Sequence, residues 1–355
     1  MTTPLLPSPS DRLRIPGVAL GHGSDTEAKT GVTVILCPGG AAAAAEVRGS
    51  ATGTRQFDSL VNPRHIATRV HAVVLAGGSG FGLAAADRVV EHLAAEGHGF
   101  DTGFGVVPLV PTAILFDLAF GAPVPPGGAV VDRALEMARS ALDPRSGAGS
   151  ERGSGGGSGL EVGQRIPMGS VGAGTGATVG KALGPASGMK GGFGFASLTV
   201  EDGPTVAAAV AVNAFGDVRE PESGRLIAGC RTEPGSRELA SAERVLASLP
   251  AGFDHTWEGN TTLAVVMTDA HLSRPAASKV CQMAFGGFYR SLVPAISLYD
   301  GDLVVTLSLG RRDAHPNQVG VLAERAVEGA IVRAVTEADG FGVVPAARDL
   351  GRDPG

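Results

Sequence analysis

Lysine is scarce in this chain. Lys29, Lys181, Lys190 and Lys279 stand against 25 arginines, so arginine fills nearly every place where a generic surface cation would serve. Each lysine is thereby marked out, because a partly buried lysine can lose its proton and an arginine effectively cannot. Cysteine is equally sparse. Cys37, Cys230 and Cys281 lie far apart, with no CxxC and no Cys/His grouping at zinc spacing, which argues against a disulfide framework and a zinc site and predicts buried thiols in a reducing cytoplasm. Positive charge is in deficit too: a net charge of -6 offers no basic stripe for a phosphate backbone, so no nucleic-acid partner is expected. Long apolar runs are missing, as is a cationic head followed by an apolar stretch at the N-terminus. Neither membrane insertion nor secretion is expected, and the chain reads as cytoplasmic. The eight histidines include no HExxH and no pair at ligand spacing, so neither a metal nor another cofactor is expected.

Glycine is abundant. With 54 Gly and 23 Pro in 355 residues, the chain approaches the composition of a disordered polymer, but 43% hydrophobic and only 18% charged residues supply a substantial core. The glycines therefore belong inside a folded, turn-rich protein. Gly31 to Cys37 and Val70 to Ala76 are short β-branched runs that read as buried strands. Leu83 to Glu96 reads as a helix presenting Leu83, Ala86, Val90 and Leu93, and 130 to 142 as another. From Arg145 to about 160 a Gly/Ser-rich stretch predicts a flexible surface loop. Strands are expected at Ala196 to Glu201, Thr205 to Asn213, from Thr261, and at Leu303 to Leu309. Helices are expected at Glu238 to Leu249, after Ser273 as cap with Pro275 in the first turn, and along Val319, Leu322, Ala326, Ala330 and Ala334. Strands and helices do not alternate strictly. That order favours an α+β fold, an αββα sandwich of two stacked sheets flanked by helices, over a doubly wound parallel sheet.

The Gly-rich segments miss the phosphate-binding templates. In GGSGFGL the third glycine of GxGxxG falls on Leu83, and the nucleophile-elbow pattern around Ser79 fails at Phe81. GAGTGATVGK ends in Gly180-Lys181, but Thr175 and Ala182 break the Walker pattern. Close backbone packing is the better reading.

The informative junction is Gly259-Asn260-Thr261, where a polar stretch gives way to a hydrophobic strand that begins on Thr261. A threonine there is ordinarily a β-former. Three other features point further: Lys181 in a Gly-rich turn, Asn213 ending a hydrophobic strand, and the paired carboxylates of Asp300-Gly301-Asp302, a motif equally consistent with an ordinary turn. With RVHAVVLAGGSGFGL, VPTAILFDL, VAVNAFGDV, GNTTLAVVMTDA and DGDLVVTLSLG in this order, the chain from about Gly17 to Ala338 resembles the self-processing N-terminal-nucleophile hydrolases of the L-aminopeptidase/D-esterase (DmpA) type. That family includes β-peptidyl aminopeptidase and nylon-oligomer hydrolase branches.

The resemblance implies a precursor that cuts its own Asn260-Thr261 bond, leaving a larger chain, 1 to 260, and a smaller chain, 261 to 355, in one folded domain. Thr261 would be the nucleophile, with its freed α-amine as general base. Asn213 matches the family asparagine that donates to the oxyanion, and Lys181 a lysine near the nucleophile in the nylon-hydrolase branch. Asp300 and Asp302 match acidic positions that in the aminopeptidase branch are Ser and Glu; here both are free to ionise, and would hold the Thr261 ammonium or Lys181 and bind a substrate amine. Phe116 stands where the nylon-hydrolase branch carries Tyr. The implied substrates are short peptides or linear 6-aminohexanoate oligomers, and the implied assembly is a homo-oligomer of the cut heterodimer, a tetramer or larger. Alternatives are a general or β-peptidyl aminopeptidase/esterase, an acyltransferase of the ornithine acetyltransferase type, disfavoured because no KGxGM-like lead-in precedes Thr261, and a non-enzymatic Gly-rich nucleotide-binding protein.

Overall fold

The computed structural model of the chain describes residues 6–143, 150–151, 161–250 and 259–350. Most of the Gly/Ser-rich stretch expected as a loop, and residues 251–258 before the junction, lie outside the described residues. The chain forms β1 (Ala19–Asp25), β2 (Thr30–Val47), β3 (Arg69–Ala76), α1 (Ala85–Ala95), β4 (Thr112–Ile114) and α2 (Gly128–Leu142). It continues with β5 (Gly192–Thr199), β6 (Thr205–Asn213), β7 (Thr261–Ala270), α3 (Arg274–Ser291), β8 (Leu303–Arg312) and α4 (Pro316–Thr336).

One hydrogen-bonded path runs β5-β6-β7-β8-β2-β3-β4 and ends on the short strand Thr54–Arg55, with β1 paired to β2. The expected two sheets are thus two halves of a continuous ladder that folds over on β2. The first part of β2, through Leu36, pairs with β1 and β3; after a bulge it rejoins β3 at Ala41 and Ala42, and from Ala42 to Val47 it pairs with β8. At the bulge lies Pro38-Gly39-Gly40, with Gly40 at φ +76°, a left-handed conformation that glycine adopts without the Cβ clash.

Strand parity builds the layers. Ala207, Ala209 and Ala211 of β6, Leu263, Val265 and Met267 of β7, and Leu303, Val305 and Leu307 of β8 face Ile35, Val73, Leu75 and Ala113 in one cluster between the sheets. Their even-numbered neighbours Val206, Ala208, Val210, Val212, Ala264, Val266 and Val304 pack on α3 and α4. On the other side Val32, Val34, Leu36, Ala72, Val74 and Ala76 pack on α1 and α2. The result is the αββα sandwich, and each fully buried Val or Leu in it contributes roughly 1.5–3 kcal/mol. The central strands are apolar on both faces because both faces are covered, which is why they read as uninterrupted apolar runs in the sequence.

Several boundaries moved from their expected places. The strand expected at Ala196 to Glu201 begins at Gly192 and ends at Thr199. The helix expected from Leu83 opens with a 3-10 turn over Ser79–Ala84 and buries Val89 where Val90 was expected. Only Ala242–Ala247 of the helix expected at Glu238 to Leu249 is helical. Ser273 does cap α3, its hydroxyl accepting from the Ala276 N–H with Pro275 in the first turn, and all three cysteines are free and buried.

Glycine pairs set the approach of helix to sheet on both outer faces. A Cβ on Gly21 or Gly23 of β1 would lie 1.9 or 1.8 Å from the Ala134 or Val130 carbonyl of α2. A Cβ on Gly192 or Gly194 of β5 would lie 2.2 or 1.8 Å from the Ala334 or Ala330 carbonyl of α4. No side chain fits without moving a helix. Gly194→Ala is therefore expected to destabilise the protein by about 1–3 kcal/mol in thermal or denaturant unfolding. Gly39→Ala, at an exposed glycine with nothing within 4 Å of its would-be Cβ, should stay within about 0.5 kcal/mol of the parent.

Candidate active site

Topology alone gathers the residues singled out in the sequence. Strands β6 and β7 are antiparallel and Asn213, the last residue of β6, pairs with Thr261, the first of β7. Strands β7 and β8 are parallel, and a bridge pairs Asn260 with Asp300 just ahead of both. The end of β6 and the beginnings of β7 and β8 therefore lie side by side at one edge of the sheet. Lys181 arrives from outside the sheet on a Gly-rich turn, where the Gly180 and Lys181 N–H groups donate to the Gly216 and Phe215 carbonyls just beyond β6, both at 2.9 Å. Gly180 has φ +70°, and its would-be Cβ lies 2.0 Å from the backbone of Gly229, so only glycine makes this turn.

Thr261 shares the inter-sheet parity of Leu263 and Val265 and is 2% exposed. Its hydroxyl donates to the Asn260 carbonyl oxygen at 2.5 Å. The same oxygen accepts the Gly301 N–H at 2.7 Å, while the Asn260 N–H donates to Tyr299 at 3.0 Å. The peptide joining Asn260 to Thr261 is thus clamped on its carbonyl side by the β8 lead-in, with the threonine hydroxyl beside it. Gly301 is tight against this hydroxyl: an added Cβ would lie 2.7 Å from Thr261 Oγ1 and 2.7 Å from the Ala51 carbonyl.

Asn213 is fully buried and its side chain is a hub. Its Oδ1 accepts the Thr178 N–H at 2.9 Å and the Lys181 ammonium at 3.0 Å, and its Nδ2 donates to the Phe116 carbonyl at 2.9 Å. Lys181 also reaches the Asn213 carbonyl at 3.3 Å. Asp300 accepts from the Phe215 N–H at 3.0 Å, and from the Ser297 N–H and hydroxyl at 2.9 and 2.6 Å. Asp302 accepts from the Thr262 N–H at 2.6 Å and the Ile296 N–H at 3.2 Å. The two carboxyls thus build the turn and hold its register against β7.

Burial governs their charge. It pushes Asp302 well above the usual carboxylate range, and neighbouring Asp300 pushes it further, against the pull of the Thr262 and Ile296 N–H groups. Burial also raises Asp300, opposed by Ser297, the Phe215 N–H and the Lys181 charge. Two carboxyls this deep favour holding a proton between them over carrying two charges, whereas the sequence reading left both free to ionise.

An apolar cavity of ≈ 490 Å³ opens beside the junction, lined by Phe116, Phe120, Val343 and Val344 among others and by Gly259, Lys181 and Asp117. Sequence reasoning missed the Gly301 N–H, which has no side chain to betray it. It also missed Asp117, which lies within VPTAILFDL beside the Phe116 that drew attention, and Val343 and Val344, which reach the cavity from beyond the last helix.

The raised carboxyls carry a stability signature. A carboxyl whose proton is held more tightly in the fold than in the unfolded chain makes stability fall as pH rises from about 4 through the folded value. In a Thr261→Ala background, which removes the hydroxyl beside the junction, Asp302→Asn should flatten the decline in melting temperature as pH rises above about 4. An unchanged pH slope would place the proton elsewhere.

Comparison with known proteins gives the family and the fold. Residues 13–344 match the model of peptidase family S58. An uncharacterised aminopeptidase of Mycobacterium leprae is 34% identical, over 93% of this chain and 91% of its own length. A 6-aminohexanoate-oligomer endohydrolase of Kocuria sp. is 26% identical, over 91% of this chain and 85% of its own. The solved structure of an L-aminopeptidase D-Ala-esterase/amidase from Ochrobactrum anthropi, described as a variant of the Ntn hydrolase fold, superposes with a TM-score of 0.65. It is 17% identical, with coverage of 95% of this chain and 89% of that one. By its sequence a hydrolase, the chain belongs to peptidase family S58.

Proposed function

We propose that the chain is a self-cleaving amide hydrolase whose nucleophile is Thr261, freed by scission of the Asn260-Thr261 bond. The observation that carries this reading is the Thr261 hydroxyl 2.5 Å from the Asn260 carbonyl oxygen, with that oxygen also held by the Gly301 N–H. In the first step Oγ1 attacks the Asn260 carbonyl carbon and gives up its proton. The negative charge that develops on the carbonyl oxygen falls where Gly301 already donates. Collapse breaks the C–N bond, the Thr261 nitrogen takes a proton, and water hydrolyses the resulting ester. Residues 1 to 260 and 261 to 355 then remain as two chains.

In the cut enzyme the Thr261 α-amine, with an unperturbed pKa of about 8, is the general base for its own hydroxyl. Gly259 lines the cavity, so release of the new chain end at Asn260 clears the approach to Thr261. Asn213 supplies an amide donor for the oxyanion of the substrate, and Lys181, held on Asn213 Oδ1, orients the nucleophile's surroundings. The substrate amide forms an acyl-enzyme on Thr261, which water resolves. The 34% identity to a protein named an aminopeptidase supports short peptides as substrates. A second reading, cleavage of linear 6-aminohexanoate oligomers, is favoured by the apolar cavity wall of Phe116, Phe120, Pro185, Val343 and Val344, which suits a methylene chain.

Thr261→Ala should run as one uncut chain on a denaturing gel and lose at least about a thousandfold in peptidase activity, as expected for a missing nucleophile. Thr261→Ser, which keeps a hydroxyl, should still cut and turn over. An active Thr261→Ala protein would overturn the assignment. Turnover of a Leu-headed dipeptide against a 6-aminohexanoate oligomer separates the two substrate readings, and the peptide is expected to have the larger kcat/KM.

A further inference from the structure

Lys190 is fully buried and outside the machinery described above. Its ammonium donates to the carbonyls of Gly174, Ala177 and Gly191 at 2.8, 2.7 and 3.3 Å, and lies 5.5 Å from the centre of the Phe120 ring. No carboxylate oxygen among the described residues lies within salt-bridge distance of it, although Asp117 and Asp339 act on it through their charge. All three carbonyls flank the turn that leads to Lys181. Ala177 is followed by Thr178, whose N–H holds Asn213 Oδ1, which in turn holds Lys181. Strand pairing repeats the link, with Thr178 opposite Lys190 and the Gly191 N–H on the Ala177 carbonyl at 2.9 Å. The Lys190 N–H also donates to Pro345 at 2.9 Å, next to the cavity-lining Val343 and Val344.

Asp117 completes the arrangement from the opposite turn. It accepts the Gly78 N–H at 2.6 Å and the Thr30 hydroxyl at 2.8 Å. Glycines from two turns close on it: a Cβ on Gly77 or Gly176 would lie 2.1 or 2.6 Å from its Oδ2. The Gly-rich segments that fail as phosphate loops thus converge on one buried carboxyl and one buried amine.

We propose, building on the function proposed above, that Lys190 and Asp117 are positioning residues that hold the Gly172–Lys181 turn so that Asn213 and Lys181 face Thr261. Burial pulls the Lys190 ammonium down to about 7, opposed by the charge of Asp117 and assisted by that of Lys181. The three carbonyl acceptors favour the charged form. Burial raises the Asp117 carboxyl, opposed by Gly78, Thr30 and Lys190. Loss of the amine removes both the clamp on the turn and a positive charge acting on Lys181.

The test compares Lys190→Met and Asp117→Asn with the wild-type chain, each folded by circular dichroism and thermal unfolding. Both variants should slow self-cleavage and lower kcat at least about tenfold, since small displacements of reacting groups cost this much or more, with KM changed less than about twofold. In Lys190→Met the limb of the pH–rate profile set by Lys181 should also move to higher pH, because a positive charge acting on Lys181 has gone. Variants that mature and turn over at the wild-type rate, or that raise KM at unchanged kcat, would overturn the proposal. If Lys190→Met yields no folded protein, Asp117→Asn, which keeps side-chain size and an acceptor oxygen, decides alone. A wild-type chain that neither cuts nor hydrolyses would instead count against the function itself.

Discussion

The site depends on a register lock. Pairing of Asn213 with Thr261 across β6 and β7, and of Asn260 with Asp300 ahead of β7 and β8, places a peptide bond, a hydroxyl and a buried amide side chain within one ladder. A slip of one residue would turn Thr261 toward α3 and α4 and put Thr262 between the sheets, because side chains alternate along a strand. The lock is enforced over the whole length of β7, where Leu263, Val265 and Met267 must face the inner core and Ala264 and Val266 the helices. The geometry at the Asn260-Thr261 junction is a consequence of core packing. The Thr262 N–H on Asp302 and the Gly301 N–H on Asn260 finish at the strand ends what the core begins.

Much of this was legible in the residues. β3, β6 and β7 carry apolar runs with sharp boundaries, and the abrupt change from polar sequence to TTLAVVMT marks Thr261 in the sequence itself. Asn213, Lys181, Asp300 and Asp302 were placed in turns or at strand ends, and the fold brings all four to the edge where β7 begins. What could not be read were relations between segments. That β2 is one strand shared by two sheets depends on a bulge at Pro38-Gly39-Gly40, between the Leu36 and Ala41 pairings, that bends the strand while both neighbours stay paired, and an alanine-rich second half gives no β signal of its own. Likewise the Asp300-Gly301-Asp302 turn reads equally as an ordinary turn. Its depth, which raises both carboxyls, follows from Gly49 and Ala51 packing over it.

The scarcity of lysine and the excess of glycine turn out to be connected. Lys181 and Lys190 both belong to the turn system around Gly172–Gly191, one aimed at Asn213 and one caged by carbonyls. Glycines there, and at Gly77 and Gly78, let backbone come close enough for an amine and a carboxyl to replace a side-chain core. Elsewhere the glycines serve the helix contacts of β1 and β5. The phosphate templates failed because these turns wrap groups of the protein itself.

Intact-mass measurement of the purified wild-type chain, with N-terminal sequencing of its smaller component, tests the central claim most directly. The account requires two chains whose masses sum to that of the full sequence plus one water, the smaller beginning Thr261-Thr262-Leu263. A single unbroken chain, or a break at any other bond, would contradict it.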